Sequence, residues 1–319
     1  MNDVFVQVSR KTKEADDICS YELTSVKDEP LPAFTAGSHI DVHLLDGLVR
    51  QYSLCNDPRE THRYLIAVLR DPASRGGSQA MHDSLSTGVI LRISAPRNHF
   101  GLSDAPATLL LAGGIGITPI LCMAEELEAT GRYFEMHYCT RAPERTAFLS
   151  RIEGSPFTRS IQLHFDSGAA EQKLDIAAVL SRQQPGTHLY VCGPGGFIGH
   201  VLEAAKRAGW TDERVHREFF TSAAAGPAKA DGPFDVKVAS SGNIFVVPTG
   251  RSILDVLRQN GVDVGASCET GVCGTCLTRV LGGVPDHRDV YMSEAEHAAN
   301  DQVTVCCSRS KSDLLVLDL

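Results

Sequence analysis

The sequence predicts a multidomain chain in three parts: a six-stranded antiparallel β-barrel, an α/β domain on a parallel sheet, and a smaller α+β domain. Three observations predict it. Residues 1–103 alternate short apolar segments with turn signals, an all-β pattern. Residues 104–222 replace these with continuous apolar runs separated by helical stretches, as buried parallel strands require. Residues 233–319 carry a hairpin, a helix and one dense cysteine loop. At 319 residues the chain is also too long for a single comfortable core.

In the first part the expected strands are 4–9, 18–24, 39–44, 51–56, 64–69 and 89–93, with Pro30, Pro32 and Gly37 breaking the loop between the second and third. Six strands at this spacing suggest a small barrel. Two pieces look chemical. Arg50-Gln51-Tyr52-Ser53-Leu54 ends a strand, and alternation puts Arg50 and Tyr52 on one face and Ser53 on the other. A flavin uses such a set: an aromatic against the ring, a hydroxyl near N5 and an arginine for phosphate. Arg75-Gly76-Gly77-Ser78 precedes a helix expected at 79–85, and a glycine-rich loop entering a helix offers bare N–H groups to phosphate. Alone, the first is more often core packing, and the second reads equally as a turn with a Ser cap. Together on one barrel they point to a flavin.

The second part opens with an apolar run, 108–112, then Gly113-Gly114-Ile115-Gly116-Ile117-Thr118-Pro119, then a helix at 120–129. Strands are expected at 134–140, 161–166, 188–192 and 214–219, and helices at 174–182 and 197–208. Ligands of such sheets bind at the C-terminal strand ends, which places a nucleotide at the first loop. The loop is not G-x-G-x-x-G, because Pro119 stands where the third glycine would. Thr118 is expected as helix N-cap with Pro119 in the first turn. The run at 188–192 ends in Cys192-Gly193-Pro194-Gly195-Gly196. A cysteine there is ordinarily a small buried hydrophobe, but beside this turn it is placed to touch a nicotinamide. Residues 223–232, rich in Ala, Gly and Pro, read as a linker.

In the third part, 234–241 and 244–248 form a hairpin around Gly242-Asn243, and Ser252 caps a helix at 253–260. Then comes Cys268-Glu269-Thr270-Gly271-Val272-Cys273-Gly274-Thr275-Cys276, with 29 residues between Cys276 and Cys306. C-x4-C-x2-C with a distant fourth cysteine is the spacing of a plant-type [2Fe–2S] site. Gly271 and Gly274 suit a loop wound tightly around sulfide. A strand at 303–307 is expected to carry the fourth ligand; Cys307 points to the other face, and the spacing selects Cys306. Structural zinc usually takes two short-spaced couples, and only one is present. A Rieske centre needs Cys-x-His couples, of which the chain has none, and half of the ten cysteines lie far from the loop, against a disulfide framework. His287 reads as a solvated loop side chain.

Composition narrows the setting. The 43% hydrophobic and 22% charged residues are those of a globular protein. Ten cysteines with no secretion signal suggest a reducing cytoplasm. A net charge of −9 argues against nucleic acid or an anionic membrane as partner.

On these residues the whole chain resembles the phthalate dioxygenase reductase family, the three-domain reductases that feed Rieske-type oxygenases, whose plan vanillate and related O-demethylase reductases share. Arg50–Leu54 and Arg75–Ser78 are similar to its FMN motifs. The loop from Gly113 to Pro119 and Cys192-Gly193-Pro194 are similar to its pyridine-nucleotide motifs, and the cysteine loop to its β-grasp ferredoxin-like domain. The resemblance implies FMN rather than FAD, NADH as donor, a terminal oxygenase as partner and a monomeric reductase. It places Arg50, Tyr52, Ser53, Ala67, Leu69, Gly76, Gly77 and Ser78 at the flavin. Gly113, Gly114, Gly116, Thr118, Cys192, Gly193 and Pro194 fall at the nicotinamide, with Ser53, Thr118 and Cys192 nearest the chemistry. Thr140, Arg141 and Asp166 become ribose contacts. The strand ending at Thr140-Arg141 lacks the acidic residue that commonly selects NADH, and Arg141 suits a 2′-phosphate; the family, and Asp166 at the end of the next strand, favour NADH. One of Phe219 and Phe220, with Phe220 preferred, covers the flavin's other face or packs in the core. Cys268, Cys273, Cys276 and Cys306 ligate the irons. The other function class open to the sequence is an electron-transfer subunit acting only inside a permanent complex.

Overall fold

The structure is a computed structural model that describes residues 3–44, 47–72, 76–220 and 232–319. Arg75 of the flavin motif and all but Gly232 of the expected linker lie outside the described residues. Residues Met1–Glu218 form one compact unit and Phe219–Leu319 a second.

The first unit begins with β1 (Val4–Ala15), β2 (Ile18–Ser25), β3 (Ser38–His43), β4 (Val49–Ser53), β5 (Arg63–Leu69) and β6 (Ile90–Ile93), all antiparallel in the order β4-β3-β6-β1-β2-β5. A bridge from Leu54 to Ile66 joins the two ends and closes the barrel. All six expected strands are present. β1 runs well past residue 9, because register shifts at Val8/Arg10 and Lys13/Ala15 let it curl while staying paired. A two-residue strand, β7 (Arg97–Asn98), adds to β3 and is too short to leave a periodic signal.

The helix after the glycine loop, α1 (Gly77–Ser84), starts two residues earlier than expected and is capped by Gly76 in the left-handed region, φ 89°. No side chain caps it; Ser78 Oγ instead accepts from Asp71 N at 3.1 Å. Its far end is held from the barrel: Lys11 Nζ donates to the carbonyls of His82 (2.6 Å) and Leu85 (2.9 Å), and Tyr21 donates to Met81 O at 2.8 Å.

The five-stranded sheet follows: β8 (Thr108–Gly113), β9 (Phe134–Thr140), β10 (Ile161–Phe165), β11 (His188–Cys192) and β12 (Val215–Glu218), all parallel in the order β10-β9-β8-β11-β12. Every residue of central β8 is buried. Helices α2 (Ile117–Ala129), α3 (Leu149–Glu153), α4 (Ile176–Ser181) and α5 (Gly195–Arg207) connect the strands. α2 is buried nearly all round, unlike an ordinary surface helix. The sheet covers one flank; on another Glu126 accepts from the Ala36 N–H of the barrel at 3.0 Å. The joining segment is pinned by Tyr190 and Arg132, which bond Ser103 N (2.7 Å) and Ser103 O (2.5 Å).

In the second unit, β13 (Phe234–Val238), β14 (Ile244–Val247), β15 (Leu277–Gly282), β17 (Gln302–Thr304) and β19 (Leu314–Leu317) form a mixed sheet in the order β14-β13-β19-β15-β17. Two short strands, β16 (Pro285–Asp286) and β18 (Arg309–Ser310), pair separately. Helix α6 (Ile253–Gln259) starts at a Ser252/Asp255 capping box and buries Ile253, Leu254, Val256 and Leu257 against Val236, Val247, Leu315 and Leu317. A second capped helix, α7 (Glu294–Ala299), precedes β17.

At one edge of the parallel sheet a polar chain is shut inside. His137, fully buried, bonds His164 at 2.9 Å and Glu135 at 3.0 Å, and Glu135 bonds Arg182 and Gln183. Burial lowers the His137 pKa to about 4. Below its unfolded value near 6.5 the unfolded chain therefore binds the proton the folded one refuses, and stability falls as pH drops from about 6.5 toward 4. By that linkage His137 should cost about 1 kcal/mol at pH 5.5. The apparent Tm is expected to fall between pH 7.5 and 5.5, and to fall less in His137→Gln; equal slopes would free His137 of the effect.

Candidate functional site

On the barrel, the two sequence pieces meet. A Cβ built on Gly77 would lie 2.5 Å from Arg50 Nε and 2.7 Å from Arg50 Cγ, so the arginine crosses the first turn of α1 directly over that glycine. The first turn of α1 and a guanidinium thus lie together, a fitting seat for phosphate. Tyr52 pairs across from Ile40 and burial drives its hydroxyl pKa up, while Ser53 pairs across from His39 on the other face. Ala67 is buried and Leu69 half-buried on β5.

On the sheet, the ends of β8 and β11 touch backbone to backbone. A Cβ on Gly116 would sit 2.3 Å from Cys192 O, and one on Gly193 would sit 2.9 Å from Gly113 Cα. Only glycine permits this approach. Thr118 is not the N-cap: a 3-10 turn, Gly114–Gly116, leads into α2, Gly116 caps it, and Thr118 turns inward to donate to Ile115 O at 3.1 Å. Gly114, at φ 52°, opens the 3-10 turn, and the backbone reaches the helix cap two residues before the hydroxyl. Cys192 is wholly buried, and burial holds its thiol pKa well above normal. Thr140, Arg141 and Asp166 come together where β9 and β10 end, Asp166 N donating to Thr140 O at 3.0 Å. The Thr140 hydroxyl is engaged with Thr146 Oγ1 at 2.8 Å, shaping its own loop, whereas Arg141 and Asp166 are exposed. Phe219 and Phe220 begin the second unit.

A residue that the sequence reading left without a role joins these two halves. Glu218 ends β12 as the register partner of Cys192, and its carboxyl lies close to the Ser53 side chain. Burial raises its pKa to about 8, and Oε2 is shielded with no partner. Its signal in the sequence was faint: a carboxylate closing an apolar run, where sheets of this kind place ligands.

In the second unit Cys268, Cys273, Cys276 and Cys306 are all buried and packed close to one another. Their closeness, with the Thr270 donors, holds the Cys268 thiol below its ordinary range. Thr270 N and Thr275 N point at Cys268 Sγ (3.4 Å) and Cys273 Sγ (3.5 Å). Glu269, Gly271 and Gly274 all take positive φ; Glu269 is anchored by Arg258 at 2.6 Å, and the Tyr291 ring lies against Gly274. The donor set and its N–H groups fit a [2Fe–2S] cluster. Strand β17 stops at Thr304, not at 307, and a turn presents Cys306 inward while Cys307 bonds Thr304 Oγ1 at 3.3 Å. His287 is half-buried rather than solvated, with Nδ1 shielded from solvent.

Comparison with known proteins agrees with this geometry. Residues 236–311 match the family of the 2Fe-2S iron-sulfur cluster binding domain, and 100–215 match the N-terminal domain of dimethylamine monooxygenase subunit DmmA-like proteins. The chain is 57% identical to a vanillate O-demethylase oxidoreductase of Pseudomonas putida, covering 98% of this chain and 99% of the relative. It is 42% identical to phthalate dioxygenase reductase of Burkholderia cepacia, over 98% and 97%. A solved structure of phthalate dioxygenase reductase, described as modular for electron transfer from pyridine nucleotides to [2Fe-2S], superposes with a TM-score of 0.80 at 41% identity, covering 100% of this chain and 98% of that one. The chain therefore belongs to the phthalate dioxygenase reductase family, and is an oxidoreductase of the kind that serves as reductase component in oxygenase systems, built on a flavin- and nicotinamide-binding fold joined to a 2Fe-2S domain.

Proposed function

We propose that this chain takes electrons from NADH and delivers them, through FMN and a [2Fe–2S] cluster, to a separate Rieske-type oxygenase acting on an aromatic acid, with O-demethylation the favoured chemistry. One observation carries the reading most. The hydroxyl of the flavin strand (Ser53) and the thiol of the nucleotide strand (Cys192) lie together at one half-buried carboxyl, Glu218, whose Oε2 is shielded. A hydride donor and its acceptor must meet face to face, and this is where barrel and sheet bring their reactive edges together. When bound, the flavin accepts an electron pair as hydride and the cluster passes electrons on singly.

The chain's own residues do the rest. Arg50, Gly76, Gly77 and Ser78 hold the FMN phosphate, Tyr52 packs on the ring, and Ser53 stands at N5. Gly113, Gly114, Gly116, Gly193 and Pro194 line the slot for the nicotinamide, with Thr118 and Cys192 at its floor; Arg141 and Asp166 take the ribose. Glu218, neutral below about pH 8, fixes the Ser53 hydroxyl and keeps charge away from the meeting point. Cys268, Cys273, Cys276 and Cys306 ligate the irons. We assign 1–103 to flavin, 104–222 to nucleotide and 233–319 to the cluster, with 223–232 as linker. The vanillate O-demethylase name of a relative at 57% identity supports the choice of partner. Ten free cysteines support a reducing, cytoplasmic setting, and a monomer is the simplest soluble carrier. No described helix is long and apolar enough to cross a membrane.

Three outcomes test this. Cys273→Ala should leave reduction of the flavin by NADH intact while delivery to a one-electron protein acceptor stops; normal cytochrome c reduction by that variant refutes the order of carriers. Arg50→Ala removes a charge-assisted bond worth about 1.5–3 kcal/mol, so FMN should bind roughly ten- to a hundredfold more weakly, read by fluorescence after desalting. Stopped-flow reduction by NADH should lose rate as pH rises through about 8, where the Glu218 carboxyl ionises, and Glu218→Gln should abolish that titration. A profile common to both proteins takes Glu218 out of the site.

A further inference from the structure

Beside the cysteine loop lies a second group of metal-type ligands, which the reductase chemistry does not use. One donor atom each from His287, Asp289 and His297 lies within 4.8 Å of the others. The carboxylate belongs inside the protein: the Asp289 side chain has no exposed surface, and it accepts the Met292 N–H at 2.8 Å and faces His297 Nε2 at 3.2 Å from both oxygens. A buried carboxylate draws donors and cations to itself, and the His287 ring stacks on that of His297 beside it. His287 faces Asn300 Oδ1 through Nε2 at 3.3 Å, which fixes that nitrogen as the donor and leaves Nδ1 with its lone pair, shielded from solvent and without a partner.

The placement is built rather than incidental. His287 and Asp289 are two residues apart in one loop, and their donor atoms converge there. His297 comes from α7, whose entry is set by the Ser293/Glu296 capping box, and Asn300 ends that helix in the left-handed region, φ 54°. The same loop braces the cysteines: Val290 N donates to Gly271 O at 3.1 Å, and a Cβ on Gly271 would meet Asp289 at 3.0 Å.

We propose that His287, Asp289 and His297 form a binding site for a divalent, imidazole-seeking cation of the Zn2+ class, separate from the four cysteines. Two histidines and a carboxylate are a zinc ligand set with positions open to water. Zinc–nitrogen bonds of about 2.0–2.1 Å hold the donors of one ion within roughly 4 Å of one another, so the set must close slightly. The two imidazoles stack at 4.5 Å and 15°, and parallel rings cannot aim in-plane lone pairs at one ion. Binding therefore turns one ring about χ2, a soft torsion. An ion there would tie the 287–290 loop to α7 and so stiffen the wall of the cysteine loop.

The test uses the full chain with flavin and cluster in place, stripped by a chelator and titrated with Zn2+. One equivalent should bind with iron content and visible iron–sulfur absorbance unchanged, and His287→Gln and His297→Gln should each weaken binding at least tenfold. X-ray absorption of the wild-type zinc form keeps the test open even where a variant loses its cluster: a shell of nitrogen and oxygen alone, with imidazole scattering, is expected. Absence of saturable binding, binding untouched by both substitutions, release of iron in step with uptake, or sulfur in the zinc shell overturns the site.

Discussion

No side chain fits between the ends of β8 and β11, and the nucleotide half of the molecule is arranged around that fact. Gly116 meets the Cys192 carbonyl, and Gly193 meets Gly113, at separations only bare backbone tolerates. The contact brings the N-terminus of α2 against the end of the strand carrying Cys192. Because Glu218 is the register partner of Cys192, the same contact settles where the carboxyl lies. The barrel then supplies Ser53 to that carboxyl. A chain of positions, glycine to cysteine to glutamate to serine, thus follows from the exclusion of a single methyl group.

Much of this could be read before any coordinate was known, and the misses share a cause. Period-two and all-apolar runs marked every main strand of the barrel and the parallel sheet, because burial of one or both faces writes itself directly into residue order. The cysteine spacing gave the metal loop for the same reason: coordination demands particular residues at particular intervals. What stayed hidden depended on contacts between segments remote in sequence. Arg50 over Gly77 joins residues 27 apart, and neither motif alone announces the other. Thr118 looked like a cap because local rules favour a hydroxyl before a proline, but the glycines ahead of it allowed an earlier start. The fourth cysteine was assigned to a strand by its apolar neighbours, whereas the chain turns after Thr304 to bring it inward. Glu218 and His287 gave almost no signal, since a lone ionisable residue reveals its role only through what surrounds it.

Both units hold ionisable groups partly or wholly out of water. Glu218 sits between the two reactive strands, Asp289 behind the cysteine loop, and the His137 chain under a sheet edge. Such groups cost free energy unless their partners are held in place, so they make the surroundings rigid as well as polar. The pKa values of Glu218 and His137 move in opposite directions for one reason, since burial disfavours whichever form is charged.

Helix α2 is enclosed on its flanks by sheet and barrel, with its first turn at the nucleotide loop and Glu126 gripping the barrel at Ala36. A single stiff rod of thirteen residues therefore gauges the gap between the two redox partners of this unit. Barrel and sheet are thereby held at a set spacing along the length of that helix.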